Sequence, residues 1–142
     1  MKEIPSILDY QDIKIGQVYQ FEKGFSITDI KEFANLSGDR NPLHIDKDYG
    51  EKSQFGQNIV HGMLVASLFS TLVGMYCPGQ KSLYLSQSIE FRKPLFPLEL
   101  VKARGTILEK TDSVRIIKMK TEILRDQETL VSGEARIKFE EF

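Results

Sequence analysis

The sequence has one cysteine, no tryptophan and only two histidines among its 142 residues. A single cysteine cannot form an internal disulfide or build a cysteine-rich zinc site. Unpaired cysteine is typical of a reducing compartment, so we expect a cytoplasmic protein. Nineteen lysines and arginines against twenty aspartates and glutamates give a net charge of −1. This balance argues against a nucleic-acid-binding protein, which normally carries a basic excess.

Several common functional motifs are also absent. The chain has no G-x-S-x-G nucleophile elbow, no G-x-G-x-x-G segment and no P-loop. Their absence argues against serine hydrolases and against the common nucleotide-binding folds. The two histidines show neither HxH nor HxxxH spacing, so we expect no metal site. The N-terminal residues lack the apolar core of a signal peptide.

Apolar residues are plentiful enough, at 41% of the chain, to form a hydrophobic core. No repeat or linker interrupts the sequence, so we expect a single domain over residues 1–142. Residues 59–77 contain no charged side chain, but polar residues are interspersed and Pro78-Gly79 follow. This pattern favours a buried helix over residues 62–77 rather than a membrane span. Because that helix shows no polar face, the rest of the chain must enclose it.

Capping signals predict two more helices ahead of it. Ser26 and Asp29 have the spacing of a capping box, and Gly38 fits the left-handed position that ends a helix. Asp46 is placed to cap a short helix that runs through Lys52.

After residue 82 the hydrophobic period changes to two. Apolar and polar residues alternate in four stretches, with turn-like breaks at residues 93–97 and 110–112. Such strands are half buried, with one face of the sheet in water. The pattern predicts an α+β fold in which a curved antiparallel sheet wraps around one long apolar central helix. In the first stretch the buried side chains are expected to be Leu83, Leu85, Ile89 and Phe91.

The segment at residues 39–46 concentrates Asp39, Asn41 and His44 in a loop that Pro42 stiffens. Aspartate and histidine suit general acid–base catalysis near neutral pH, and asparagine can orient water or a carbonyl group. The same residues also fit a structural loop, in which Asp39 and Asn41 cap turns and His44 is hydrogen-bonded. Both interpretations stay open on these residues alone.

His61 and Gly62 stand at the start of the predicted central helix. A glycine there exposes a main-chain N–H, which together with the helix dipole favours an oxyanion. Alternatively, Gly62 only relieves crowding, and His61 is expected to be structural. Further along, Ser70 is compatible with a hydrogen bond to the preceding turn, and Cys77 with simple packing.

Together these motifs resemble a known family. F-A-x-x-S-G-D-x-N-P-L-H-x-D at residues 33–46 and I-V-H-G-M at 59–63 resemble the MaoC-like (R)-specific enoyl-CoA hydratases. The resemblance continues through S-L-F-S at 67–70 and Y-L-x-x-S-x-x-F at 84–91. It implies a hot-dog fold and reversible syn addition of water to trans-2-enoyl thioesters, which yields (R)-3-hydroxyacyl thioesters.

The resemblance also implies residue roles. Asp39 and His44 would hold and activate water, and Asn41 would orient groups within the same loop. The main-chain N–H of Gly62 would donate to the thioester carbonyl. One departure is Gln57-Asn58, which stands where the family commonly has proline before the V-H-G motif. We therefore expect a looser start to the central helix.

Further implications concern the substrate and partners. Ser70 and Val73 would line the acyl tunnel, and two chains would form a homodimer. No cofactor is implied beyond the coenzyme A or acyl-carrier-protein thioester, which is the substrate.

Three alternatives stay open beside the hydratase of fatty-acid metabolism. An (R)-3-hydroxyacyl-acyl-carrier-protein dehydratase would use the same site, and Arg40, Lys47 and Lys52 are candidate contacts for its carrier protein. A non-catalytic acyl-thioester-binding module would have no need of Asp39 and His44. A thioesterase of the same fold is disfavoured by the D-x-N-x-x-H loop. The expectation is an enzyme, a hydratase or dehydratase of the hydro-lyase class.

Overall fold

Six antiparallel strands form one sheet in the computed structural model, which describes all residues 1–142. The strands are β1 (Val18–Lys23), β2 (Ser82–Gln87), β3 (Glu90–Phe91), β4 (Val101–Thr111), β5 (Ile116–Arg125) and β6 (Glu128–Phe139). Their order across the sheet is β1-β4-β5-β6-β2, and β3 also pairs with β6, on the β2 side. The strands that follow each other after residue 100 are therefore neighbours, as expected for hairpin connections.

The predicted period of two is confirmed in β4, β5 and β6. Alternate side chains are buried along most of each strand, but consecutive residues are buried at 121–124 in β5 and at 130–131 in β6. The alternating buried apolar positions are Val101, Ala103, Ile107, Ile117, Met119, Ile123, Val131, Ala135, Ile137 and Phe139, and Leu124 and Leu130 are buried as well. One face of the sheet is therefore in the core and the other is polar.

The capping signals are confirmed as well. Helix α1 (Ile27–Ser37) begins at a capping box, in which the Asp29 N–H donates to Ser26 Oγ at 3.1 Å and the Ser26 N–H donates to Asp29 Oδ2 at 2.8 Å. It ends at Gly38, whose φ of 83° is left-handed. The predicted loop at 39–46 contains one further helical turn, α2 (Pro42–Ile45), and α3 (Lys47–Lys52) follows it.

The central helix lies within the predicted residues 62–77, but it is broken into pieces and is less enclosed than expected. It covers 15 residues, 62–76, in three pieces: α4 (Gly62–Ala66), α5 (Leu68–Thr71) and a π-helical turn (Leu72–Tyr76). It is therefore short rather than long. It is also not enclosed on all sides, because Met63 is 58% exposed and Ser70 is exposed. No helix in the structure has both the length and the hydrophobicity to cross a membrane.

The buried side of the central helix packs against the sheet. Phe69 and Leu72 belong to a core cluster of 24 buried residues that includes side chains from β1 and from β4 to β6. Close approach depends on Gly105 in β4, where a Cβ atom would lie 2.8 Å from Cδ2 of Leu72. Burying each large apolar side chain in this layer contributes about 1.5–3 kcal/mol. The helix thus packs on the sheet through its buried face.

The edge formed by β2 and β3 departs from the prediction. Leu83, Leu85 and Phe91 were expected inside, but they are 45%, 43% and 52% exposed. The predicted strand is also interrupted at residues 88–89, where the Ser88 carbonyl approaches Gly133 so closely that no Cβ atom would fit. Alternation assigns side chains to the two faces of a strand. It does not determine which face is buried within the chain.

Candidate active site

The end of α1 positions Asp39. The Gly38 N–H donates to the Ala34 carbonyl at 2.9 Å and turns the chain out of the helix. Ser37 Oγ then donates to the Phe33 carbonyl at 2.7 Å and accepts the Asp39 N–H at 3.1 Å. The Asp39 carboxylate is exposed and accepts the Asn41 N–H on Oδ1 at 3.2 Å. Its other oxygen is available for chemistry.

Asn41 caps the short helix α2. Its Oδ1 accepts the Leu43 N–H at 3.0 Å, and Pro42 occupies the first helical position. The amide oxygen is therefore engaged within the loop, and only the Nδ2 group can donate to another molecule. Asn41 thus orders the start of α2, and its role toward a substrate stays a prediction.

His44 is held by its Nδ1 atom, which lies 2.8 Å from the Ile59 carbonyl. Because a carbonyl oxygen only accepts, Nδ1 carries a proton, and in the neutral ring Nε2 keeps its lone pair. His44 is half-buried, and its bond to the Ile59 carbonyl fixes the orientation of the ring. A fixed ring with a free Nε2 suits proton transfer.

His61 lies beside both residues and is only 1% exposed. Its Nε2–H donates to the main-chain carbonyl of Asp39 at 3.0 Å. Its ring stacks on His44 with centroids 4.0 Å apart, and the Phe33 ring contacts it edge-on at 4.8 Å. Its Nδ1 has no hydrogen-bond partner, and a buried polar atom without a partner costs about 1–3 kcal/mol.

Asp39, His44 and His61 place one nitrogen or carboxylate oxygen each within 4.8 Å of one another. Two histidines and a carboxylate also form a donor set for transition metals. The rings, however, are stacked with an angle of 26° between their planes. A metal bound by two histidines lies near the plane of each ring, in line with a nitrogen lone pair. The stack therefore favours acid–base chemistry over metal coordination.

Gly62 is the first residue of α4, so its N–H has no acceptor within the helix. A Cβ atom there would lie 2.9 Å from the Phe91 ring, and glycine is consequently the residue that fits. Gly62 and Phe91 border a cavity of about 320 Å³ with Phe55 and Ile59 in its wall. The N–H of Gly62 thus belongs to a segment that faces an apolar cavity.

A second cavity, of about 530 Å³, lies on the His44 side of the loop. Its wall includes Ile45, Lys31, Lys47 and Leu98. Of the three basic residues expected near the tunnel mouth, Lys47 lines this cavity, whereas Arg40 and Lys52 do not. The smaller cavity is thus lined by Gly62 and the larger one by His44.

Ser70 and Val73 are separated by the structure. Ser70 lies on the exposed side of the central helix with Met63 and Ser67, while Val73 is buried in the core at the π-helical turn. They do not share one exposed surface within a single chain, and their expected place along an acyl tunnel stays a prediction.

Cys77 does not join the site. It is fully buried, and burial raises the pKa of its thiol to about 12. A thiol that stays protonated is a poor nucleophile, so packing is its role.

Asn58 holds the loop that carries His44, a role that the sequence prediction missed. Its Nδ2 donates to the carbonyls of Leu43 at 2.9 Å and Asp46 at 2.8 Å, at the two ends of the turn that carries His44. The start of the central helix is therefore tied down here, not looser as expected from the missing proline. The only sequence signal was an asparagine next to a glycine-containing break, which does not identify acceptors 12 and 15 residues away.

Comparison with known proteins identifies the class. Residues 11–129 match the family model described as a MaoC like domain. The chain therefore belongs to the MaoC-like family, and its antiparallel sheet and central helix are the hot-dog fold of that family.

The relatives define the group within the family. The (R)-specific enoyl-CoA hydratase of Aeromonas caviae is 39% identical over 90% of this chain and 96% of its own. The solved structure of the A. caviae (R)-hydratase superposes with a TM-score of 0.88 at 38% identity, over 91% of this chain and 98% of that one. A mitochondrial 3-hydroxyacyl-[acyl-carrier-protein] dehydratase of Arabidopsis thaliana is 36% identical over 95% of this chain and 82% of its own. These relatives are hydro-lyases.

Replacing Asn58 by alanine removes the donor that ties both ends of α2. We expect a loss of about 1–3 kcal/mol in the free energy of unfolding, because the carbonyl groups lose a partly buried partner. Urea unfolding measures the loss, and faster exchange of the His44 and Asp46 amides locates it. Gln57→Ala is the matched control, since Gln57 is exposed. Equal stability of the two variants would contradict the assignment.

Proposed function

We propose that this protein is an (R)-specific enoyl-CoA hydratase, which adds water to trans-2-enoyl thioesters and runs in either direction. The observation that carries the proposal is the convergence of Asp39, His44 and His61 within 4.8 Å, next to the segment that holds Gly62. The 39% identity to an (R)-specific enoyl-CoA hydratase supports it.

The geometry can supply each step of the addition. Water loses a proton to the pair of Asp39 and His44, and its oxygen bonds to C3 of the enoyl group. The electrons of the C2=C3 bond move onto the thioester oxygen, where the Gly62 N–H donates a hydrogen bond. The pair then returns a proton to C2 on the same face, and the carbonyl reforms. One such oxyanion donor contributes about 3–4 kcal/mol to lowering the barrier.

The free Nε2 of His44 and the free oxygen of Asp39 are the two proton-accepting atoms of this pair. Both belong to one loop, so they meet the substrate from one side. This arrangement agrees with syn addition, in which hydroxyl and hydrogen arrive on the same face. Asn41 keeps the loop in this shape through its cap on α2.

Asp39→Asn and His44→Ala are each expected to lower turnover of crotonyl-CoA by at least about a hundredfold, the scale of a positioned acid–base group. Loss of the conjugated enoyl absorbance measures the rate, chiral analysis of the product measures the stereochemistry, and circular dichroism checks the fold. Asp46→Asn is the matched control, because asparagine retains the cap on the Tyr49 N–H.

Near-normal turnover in either folded site variant would overturn the roles. Wild-type protein that binds enoyl-CoA without consuming it would instead indicate a binding module.

A second candidate is a 3-hydroxyacyl-acyl-carrier-protein dehydratase. It is favoured by the 36% identity to the mitochondrial dehydratase of Arabidopsis thaliana over nearly the whole chain. Lys31 and Lys47 outnumber Glu51 in the wall of the His44 cavity, which leaves a net positive charge where a carrier protein would approach. Comparing kcat/KM for the same acyl group on coenzyme A and on acyl carrier protein decides between the two substrates.

A homodimer is part of the proposal. The β2 edge has main-chain groups that no strand of this chain pairs, and Leu83, Leu85 and Phe91 are exposed along it. Edges of this kind are normally covered, and exposed apolar patches mark interaction sites. A second copy joined edge to edge would cover them by two-fold symmetry.

Light scattering at micromolar concentration is expected to give twice the chain mass of 16.3 kDa. Leu85→Lys should shift the protein toward the single-chain mass, because a charge replaces an apolar side chain at the edge. Val114→Lys is the control, since Val114 is an exposed apolar residue in the turn between β4 and β5. A wild-type mass of 16.3 kDa would rule the homodimer out.

The acyl tunnel is proposed to pass Ser70 and Val73. Ser70 is exposed on the single chain, so it can line a closed tunnel only where another surface covers it. The proposed second copy provides that surface, and Val73 would limit the tunnel from the core side.

Ser70→Leu should lower kcat/KM for medium-chain relative to short-chain enoyl thioesters, and Val73→Ala should raise this ratio. Each methylene gained contributes only about 0.8 kcal/mol, whereas a steric clash costs about 1–3 kcal/mol. The ratio cancels any general loss of activity. An unchanged ratio in both folded variants would place the tunnel elsewhere.

A further inference from the structure

His61 lies in the candidate site, but the proposed proton transfers give its buried side chain no chemical step. It is 1% exposed, and its Nδ1 has no hydrogen-bond partner. An apolar side chain of similar size would avoid burying an unpaired nitrogen. Packing therefore does not explain why position 61 is a histidine. Its contacts with Asp39 and His44 do.

The first of these contacts reaches Asp39. The Nε2–H of His61 donates to the Asp39 main-chain carbonyl at 3.0 Å, across 22 residues of sequence. Asp39 itself is exposed and follows Gly38, where the chain leaves α1. This hydrogen bond links the exposed Asp39 to the buried His61.

The second contact fixes the plane of His44. The two imidazole rings stack at 4.0 Å, and Phe33 supports His61 from the side at 4.8 Å. The Ile59 carbonyl holds Nδ1 of His44 and sets the direction of that ring. His44 is thus oriented by Ile59 and His61, two residues of the same short segment.

We propose that His61 is a positioning residue that sets the separation and orientation of Asp39 and His44 during proton transfer. This inference rests on the proposed hydratase function for its kinetic consequences. His61 directly precedes Gly62, and its carbonyl accepts the Val65 N–H at 3.0 Å in the first turn of α4. It therefore also couples the acid–base loop to the helix start that offers the Gly62 N–H.

Two substitutions separate positioning from packing. His61→Leu removes both the donor and the stacked ring while it fills a similar volume. His61→Gln keeps an N–H donor at a comparable reach from the backbone. We expect kcat of His61→Leu to fall about thirtyfold with KM within about threefold of wild type, because small displacements of reacting groups are costly. His61→Gln should recover kcat to within about tenfold of wild type.

Stability is measured on the same proteins by urea unfolding. Ile117→Val, at a fully buried position in β5, is the control for a core change outside the site. It is expected to lower stability and leave kcat unchanged. His61→Leu is expected to lower kcat with little change in stability, because loss of the hydrogen bond to the Asp39 carbonyl is offset by removal of the unpaired Nδ1.

Nuclear magnetic resonance of the His44 ring tests positioning without turnover. In the wild type the Cε1–H signal of His44 should be single and shifted by the stacked ring. In His61→Leu it should move and broaden as the ring samples several orientations. The NMR signal tests the positioning of His44 even if the wild type consumes no enoyl thioester. Lack of turnover would contradict only the proposed hydratase function.

An unchanged His44 signal in His61→Leu would overturn the proposal. So would wild-type kcat in that variant, or a loss of kcat that His61→Gln does not relieve at all.

Discussion

Hydrogen bonds between the loop at 39–46 and the segment at 58–61 are the constraint on which the site depends. These bonds join residues far apart in sequence, and each segment donates to the other. His44 in the loop donates to the Ile59 carbonyl, while Asn58 and His61 in the segment donate to the carbonyls of Leu43 and Asp39. The loop is largely exposed and adds little to the core. Without these contacts its polar side chains would sample many orientations. The fold therefore provides a rigid partner in the segment before α4.

Local signals in the sequence were sufficient for much of the fold. Alternation predicted β4 to β6, and the capping box with Gly38 predicted both ends of α1. These features depend on neighbours a few residues apart, which a sequence displays directly. The loop motif likewise drew attention to Asp39 and His44. The roles of Asn58 and His61 were not visible, because their partners lie 12 to 22 residues away.

The errors about the central helix and the β2 edge have one physical origin. A hydrophobic pattern reports how much apolar surface must be covered, but not whether the same chain covers it. Met63 on the helix and Leu83 and Leu85 on the edge are apolar, yet the single chain leaves them exposed. A prediction that assumes one self-contained core will place such residues inside. Their exposure is consistent with a protein whose working form contains more than one copy of the chain.

The same segment serves both halves of the proposed chemistry. Ile59 and His61 support the acid–base pair, and Gly62, the next residue, presents the N–H for the thioester oxygen. Proton transfer and charge stabilisation must occur together, because the charge on the oxygen grows as water attacks C3. Groups that act as one unit show strongly non-additive losses when they are altered. In the proposed mechanism, a displacement of residues 58–62 would therefore misplace the N–H donor, Asp39 and His44 at once.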